Sequence, residues 1–102
     1  MKNRRRERRI HLPAKMDATI TYSDDLKRVP GGLIGDISGG GMFMFTEAVL
    51  NKDAYVTMRL NAENYIGKPV YIQGLVVRSD DRGMAIQFTY ANDEDISSLL
   101  SF

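Results

Sequence analysis

Leu12-Pro13-Ala14-Lys15-Met16-Asp17-Ala18-Thr19-Ile20-Thr21-Tyr22 is the stretch from which the fold can be read. Leu12, Ala14, Met16, Ala18, Ile20 and Tyr22 alternate with Pro13, Lys15, Asp17, Thr19 and Thr21. Successive side chains of a strand point to opposite faces, so this alternation predicts a strand with one buried face. The same signature recurs downstream. Tyr55 to Leu60 turns Val56, Met58 and Leu60 inward, and Val70 to Arg78 is rich in β-branched residues. Met84, Ile86, Phe88 and Tyr90 alternate with Ala85, Gln87 and Thr89 in a last strand. Leu33 to Ile37 reads as a short strand. Met42-Phe43-Met44-Phe45 is apolar on both faces, which predicts a strand with one face in the core and the other covered.

The punctuation agrees with this reading. Ser23-Asp24-Asp25 begins a turn that Pro30-Gly31-Gly32 continues, and Gly35 to Gly41 forms a glycine-rich turn. Glu47 to Lys52 suits a loop or one helical turn, and Asn61 to Pro69 reads as a loop. Ser79-Asp80-Asp81-Arg82-Gly83 is a hairpin turn with its glycine late. Asn92 is placed to cap a helix whose first turn holds Asp93, Glu94 and Asp95 and whose apolar stripe is Ile96, Leu99 and Leu100. That helix either packs on the body or extends to a neighbouring chain. Six short strands and one short C-terminal helix point to an antiparallel barrel or sandwich. A closed six-stranded antiparallel β-barrel is the expectation, because closure removes exposed strand edges.

The chain of 102 residues is long enough for one compact domain. It has no cysteine, hence neither disulfides nor thiolate metal sites, and the single histidine, His11, cannot form a zinc site alone. No apolar run is long enough to span a bilayer, and no apolar signal core follows the basic N-terminus. A cytoplasmic location without membrane insertion is therefore expected. The net charge of +1 hides an asymmetry. Residues 1–9 carry six basic side chains against Glu7, a net +5, while the rest carry eight basic and twelve acidic, a net −4. A cationic arm on a mildly acidic body implies an anionic partner that meets the arm. Residues 1–11 are accordingly assigned to a basic arm, flexible without a ligand, and 12–102 to the barrel.

Two elements carry chemistry. Arg5-Arg6-Glu7-Arg8-Arg9 contains Arg-x-x-x-Arg, and Asp36-Ile37-Ser38-Gly39-Gly40-Gly41 reads Asp-x-Ser-x-x-Gly. Guanidinium is a planar fork that matches phosphate oxygens, stacks on flat rings and pairs bidentately with O6 and N7 of guanine. A carboxylate accepts N1–H and N2–H from guanine's other edge. A serine hydroxyl can bond a phosphate or a base. Glycine permits positive φ, lets a base lie close to the backbone and exposes N–H groups that can hold an anion. Together these suit a guanine nucleotide with more than one phosphate.

This sequence resembles the PilZ domain family, which binds the bacterial second messenger cyclic di-GMP. Arg5 and Arg9 match the family's Arg-x-x-x-Arg segment before the first strand, although Arg4 and Arg8 have the same spacing. Asp36, Ser38 and Gly41 match its second motif, and Gly83-Met84-Ala85-Ile86-Gln87-Phe88 is similar to its last barrel strand. The resemblance implies that Arg5 and Arg9 clamp phosphates and stack on guanine, and that Asp36 takes a guanine edge. It implies that Ser38 bonds the ligand or braces the turn, that Gly41 permits the turn, and that Gly40 belongs to the same ligand-binding loop. Arg4 could stack on a further guanine, which would favour two intercalated cyclic di-GMP molecules per chain. The implied protein is a receptor that signals to a downstream protein partner and needs no cofactor or metal.

Three other readings compete. One is a PilZ-like adaptor that works through protein contacts without nucleotide; the intact motif residues argue against it. Another is a small barrel for RNA or single-stranded DNA, which would want positive charge spread over a groove, whereas this body is net acidic. Nucleic acid is therefore not an expected partner. An enzyme is the weakest reading, because no nucleophile–base pair surrounds His11 and the acidic runs at Asp80-Asp81 and Asp93–Asp95 suit a turn and a helix start. Tyr55, Tyr65, Tyr71 and Tyr90 are scattered over different elements, and the six methionines suit core filling.

Overall fold

Alternating strands can bury their apolar faces together by closing into a barrel, and this chain does so. The structure, a computed structural model, describes residues 16–23, 31–47 and 49–101. Six strands form it: β1 (Asp17–Ser23), β2 (Gly31–Ile37), β3 (Gly41–Phe45), β4 (Tyr55–Leu60), β5 (Val70–Ser79) and β6 (Gly83–Ala91). Two helices are added, α1 (Glu63–Ile66) and α2 (Asp93–Leu100). The strands close in the order β1-β2-β3-β6-β5-β4, with every neighbouring pair antiparallel. Sequence neighbours pair by hairpins except at two places: β3 crosses to β6, and β1 returns to β4 to close the wall.

The interior holds the predicted apolar sets. Ala18 and Ile20 come from β1, with Met16 just before it, Val56, Met58 and Leu60 from β4, and Met84 and Ile86 from β6, all buried. Met16, Met42, Met44, Met58 and Met84 are core residues, as expected of flexible gap-filling side chains. The alternation nevertheless breaks at two residues that the pattern placed inward. Tyr22 is 54% exposed because the β1–β4 register shifts between Ile20 and Tyr22, and buried Ser23 takes the inward place. Tyr90 is 59% exposed because the β5–β6 register shifts between Gln73 and Gly74, opposite Tyr90 and Phe88. One extra residue moves everything beyond it to the other face.

Other boundaries differ from the sequence reading. Gly31 and Gly32 belong to β2, where they pair with Thr19 and Ala18; the ladder to β1 overrides their turn tendency. Asn61 to Pro69 is not all loop but contains α1, a single turn closed by Gly67 in the left-handed region at φ 85°. The ambiguous stretch from Glu47 to Lys52 contains no helix among its described residues. Phe45, on the outer face of β3, is 44% exposed, so the described residues do not cover that face as expected.

α2 packs on the body. Ile96 and Leu99 enter the core, with Leu100 partly buried beside them. Asn92 is its N-cap, accepting the Asp95 backbone N–H through its side chain at 3.0 Å. Lys68 Nζ lies 2.8 Å from Asp95 Oδ1, joining the α1 loop to α2, and this bond holds the lysine pKa above its usual range. Replacing the cap, Asn92→Ala, should lower stability by about 1 kcal/mol in denaturant unfolding with the strand content unchanged.

Candidate functional site

The turn between β2 and β3 is built from its own backbone and one hydroxyl. Ser38 N–H donates to the Gly41 carbonyl at 2.9 Å. Ser38 Oγ also donates to that carbonyl at 3.4 Å and accepts the Gly40 N–H at 3.3 Å. Ser38 is fully buried, so of the two roles open to it, bracing the turn is the one observed. The Gly40 carbonyl accepts Phe88 N–H at 2.9 Å, which ties the turn to β6. The Gly40 N–H is thus engaged inside the turn rather than presented to an anion.

Gly41 is required for closeness rather than for a left-handed backbone. A Cβ on it would lie 2.5 Å from the Ile86 carbonyl oxygen, and its φ is not positive. Asp36 belongs to β2 itself, opposite Phe43, within the strand expected from Leu33 to Ile37 and ahead of the turn proper. It follows a register shift between Ile34 and Asp36, a bulge of the kind that re-aims a side chain.

These residues meet a cleft of about 680 Å³ on the outer wall of the barrel. Asp36 and Gly40 line one part, Phe43 and Phe45 of β3 and Ala85 and Gln87 of β6 the middle, and Val77, Arg78 and Arg82 the far part. Phe43 and Phe45 meet edge to face, with ring centroids 5.2 Å apart and planes at 71°. The Phe45 ring lies over Gly35, where a Cβ would approach it to 2.5 Å. Arg4, Arg5, Arg9 and His11 lie outside the described residues, as do Leu12 and Ala14 at the expected start of the first strand. Of the expected site residues, Asp36 and Gly40 face the cleft, whereas Ser38 and Gly41 shape the turn behind it.

A family model described as the PilZ domain matches residues 3–102. The chain belongs to the PilZ family. Two solved structures are similar to this PilZ chain. One is the PilZ domain of CeSA from a cellulose-synthesizing bacterium, with TM-score 0.65 and 20% identity over 91% of both chains. The other is the Bacillus subtilis inhibitor of motility, with TM-score 0.73 and 18% identity over 97% of this chain and 49% of that one. This chain thus spans about half of the second neighbour, and at these identities the likeness is one of fold. A search of the curated proteins returned no match. No helix among the described residues is long and apolar enough to cross a membrane.

Sequence reading missed Phe43, Arg78, Arg82 and Gln87 as parts of this PilZ wall. The signal for Phe43, Arg78 and Gln87 is the outward phase of each strand, which becomes a shared surface only through the crossover pairing of β3 with β6, and Arg82 joins them from the β5–β6 turn. The β5–β6 turn supplies a further local device: Asp80 accepts the N–H groups of Arg82 at 2.9 Å and Gly83 at 3.2 Å. The Arg82 N–H, foremost, holds the Asp80 carboxyl below its usual pKa.

Three expectations follow. Ser38→Ala should cost about 0.5–1.5 kcal/mol by stranding the Gly40 N–H, and Gly41→Ala about 1–3 kcal/mol by overpacking against the Ile86 carbonyl; urea unfolding reads both. A depressed Asp80 pKa stabilises the fold above the unfolded value of about 3.9 and loses that contribution as pH falls through the lower folded value. Asp80→Asn should therefore flatten the acid limb of the melting-temperature profile and leave its neutral-to-basic part parallel to the wild type.

Proposed function

We propose that this PilZ domain is a receptor for cyclic di-GMP, held between the Arg-x-x-x-Arg arm and the cleft that Asp36 borders. The observation that carries this reading is the union of two facts: the chain is a PilZ domain, and Asp36 and Gly40 of its Asp-x-Ser-x-x-Gly motif line one cleft with two phenylalanines and two arginines. A carboxylate beside an aromatic floor suits a purine with donors on its edge. The arginines of the arm add the cationic fork that phosphates require. Repulsion among the arm's cations is offset when an anion binds, so ligand brings the arm against the wall and alters the surface offered to a protein partner. The domain acts by recognition, with neither cofactor nor catalysis, in the cytoplasm where the messenger is found.

Calorimetric titration with cyclic di-GMP tests this. Wild-type protein should bind, and the Arg5→Ala/Asp36→Ala double variant should not. Arg5→Ala or Arg9→Ala alone should each cost about 1.5–3 kcal/mol, roughly ten- to a hundred-fold in affinity. A single variant within twofold of wild type removes that arginine from the site. Two nucleotides per chain are expected from Arg4 as an additional stacking cation, and a ratio of one overturns that part. No heat from verified folded wild type would favour the nucleotide-independent adaptor.

A further inference from the structure

Strand register places four cleft residues in one line across the barrel. Asp36 of β2 is opposite Phe43 of β3, Phe43 is opposite Ala85 of β6, and Ala85 is opposite Arg78 of β5. Their inward-facing neighbours Met42, Met44, Val76, Met84 and Ile86 are buried, so this row lies on the outer face, where all four line the same cleft. The row thus has a carboxylate at one end, a phenyl ring and a small methyl forming its floor, and a guanidinium at the other end. Three interstrand steps separate the ends, about 14 Å between backbones.

Both ends are set by irregularities in the ladders. The register shifts just before Asp36, between Ile34 and Asp36, and just before Arg78, between Val76 and Arg78. Each shift re-aims the residue that follows it, and bulges recur where a sheet presents functional side chains. No carboxylate pairs with Arg78 among the described residues, whereas Arg82 next to it has Asp80 at 3.6 Å. Arg78 is therefore the cation of this wall whose guanidinium is not committed to a described carboxylate.

We propose that Arg78 is a ligand-binding residue that anchors a phosphate of the nucleotide whose base lies on Phe43 and whose base edge meets Asp36. This rests on the cyclic di-GMP reading and deepens it by adding a contact from the barrel wall itself. The distance between the ends exceeds a purine ring, so a molecule that engages both must extend from base to phosphate. Ala85 keeps the middle of the row low, which lets a flat group pass from one end to the other.

The test is titration of wild type, Arg78→Ala, Arg78→Lys and Ala85→Leu with cyclic di-GMP, each with a thermal melt to verify folding. Arg78→Ala should weaken binding roughly ten- to a hundred-fold, as for loss of a charge-assisted contact. Arg78→Lys should recover part of that loss while the salt dependence of binding stays that of wild type, and Ala85→Leu should weaken binding by blocking the row. Arg78→Ala within twofold of a wild type that binds would overturn the anchor and leave the receptor reading intact. If wild type does not bind cyclic di-GMP, the receptor reading fails, and the anchor is judged with inorganic pyrophosphate. Pyrophosphate-induced NMR shifts of the Phe43 and Ala85 backbone amides that are lost in Arg78→Ala would retain it, and their persistence in that variant or their absence from wild type would overturn it.

Discussion

The pairing of β1 with β4 is the interaction on which the rest depends. It joins the two ends of a six-strand sheet, so the wall has no free edge and every strand has two partners. Once the wall is closed, period-two alternation leaves each strand two destinations, a dry interior or an outer surface. In β3 Met42 and Met44 are buried, which by alternation leaves Phe43 and Phe45 on the outer face. The outer phenyl rings are therefore a consequence of core packing in β3, and they become available for recognition without any loss to the interior.

Strict alternation alone would give a featureless wall, and the register shifts give it features. A shift turns Tyr22 outward and buries Ser23, another exposes Tyr90, and two more stand beside Asp36 and Arg78. The glycines serve the same end by allowing close approach. Gly35 makes room for the Phe45 ring and Gly41 lets β3 meet the Ile86 carbonyl, so the aromatic floor and the braced turn come from small residues at crowded points. The Asp-x-Ser-x-x-Gly motif divides its work accordingly. Ser38 and Gly41 hold the turn's shape, which leaves Asp36 as the motif side chain facing the cleft.

Much of this was legible in the sequence. The alternations predicted strands at the observed places, and Asn92 with its acidic followers announced α2. Ser38 to Gly41 marked the turn that joins β2 and β3. These signals are local: side-chain period, capping chemistry and turn residues act over a few positions, and the burial they anticipate is decided by the same residues. Errors came where a longer-range partner overrode the local tendency, as when Gly31 and Gly32 joined β2 against β1, or where a bulge reversed the phase at Tyr22 and Tyr90.

The sequence by itself determined six strands, a capped C-terminal helix, a cationic N-terminus and an Asp-x-Ser-x-x-Gly motif, because each is written in adjacent residues. Only the tertiary structure decided that β3 lies against β6. That crossover lines up Asp36, Phe43, Ala85 and Arg78, residues spread over more than forty positions of chain, across one outer face. The physical reason is that a closed sheet chooses its neighbours by the geometry of the whole wall. No local pattern within β3 or β5 specifies which strand will stand beside it.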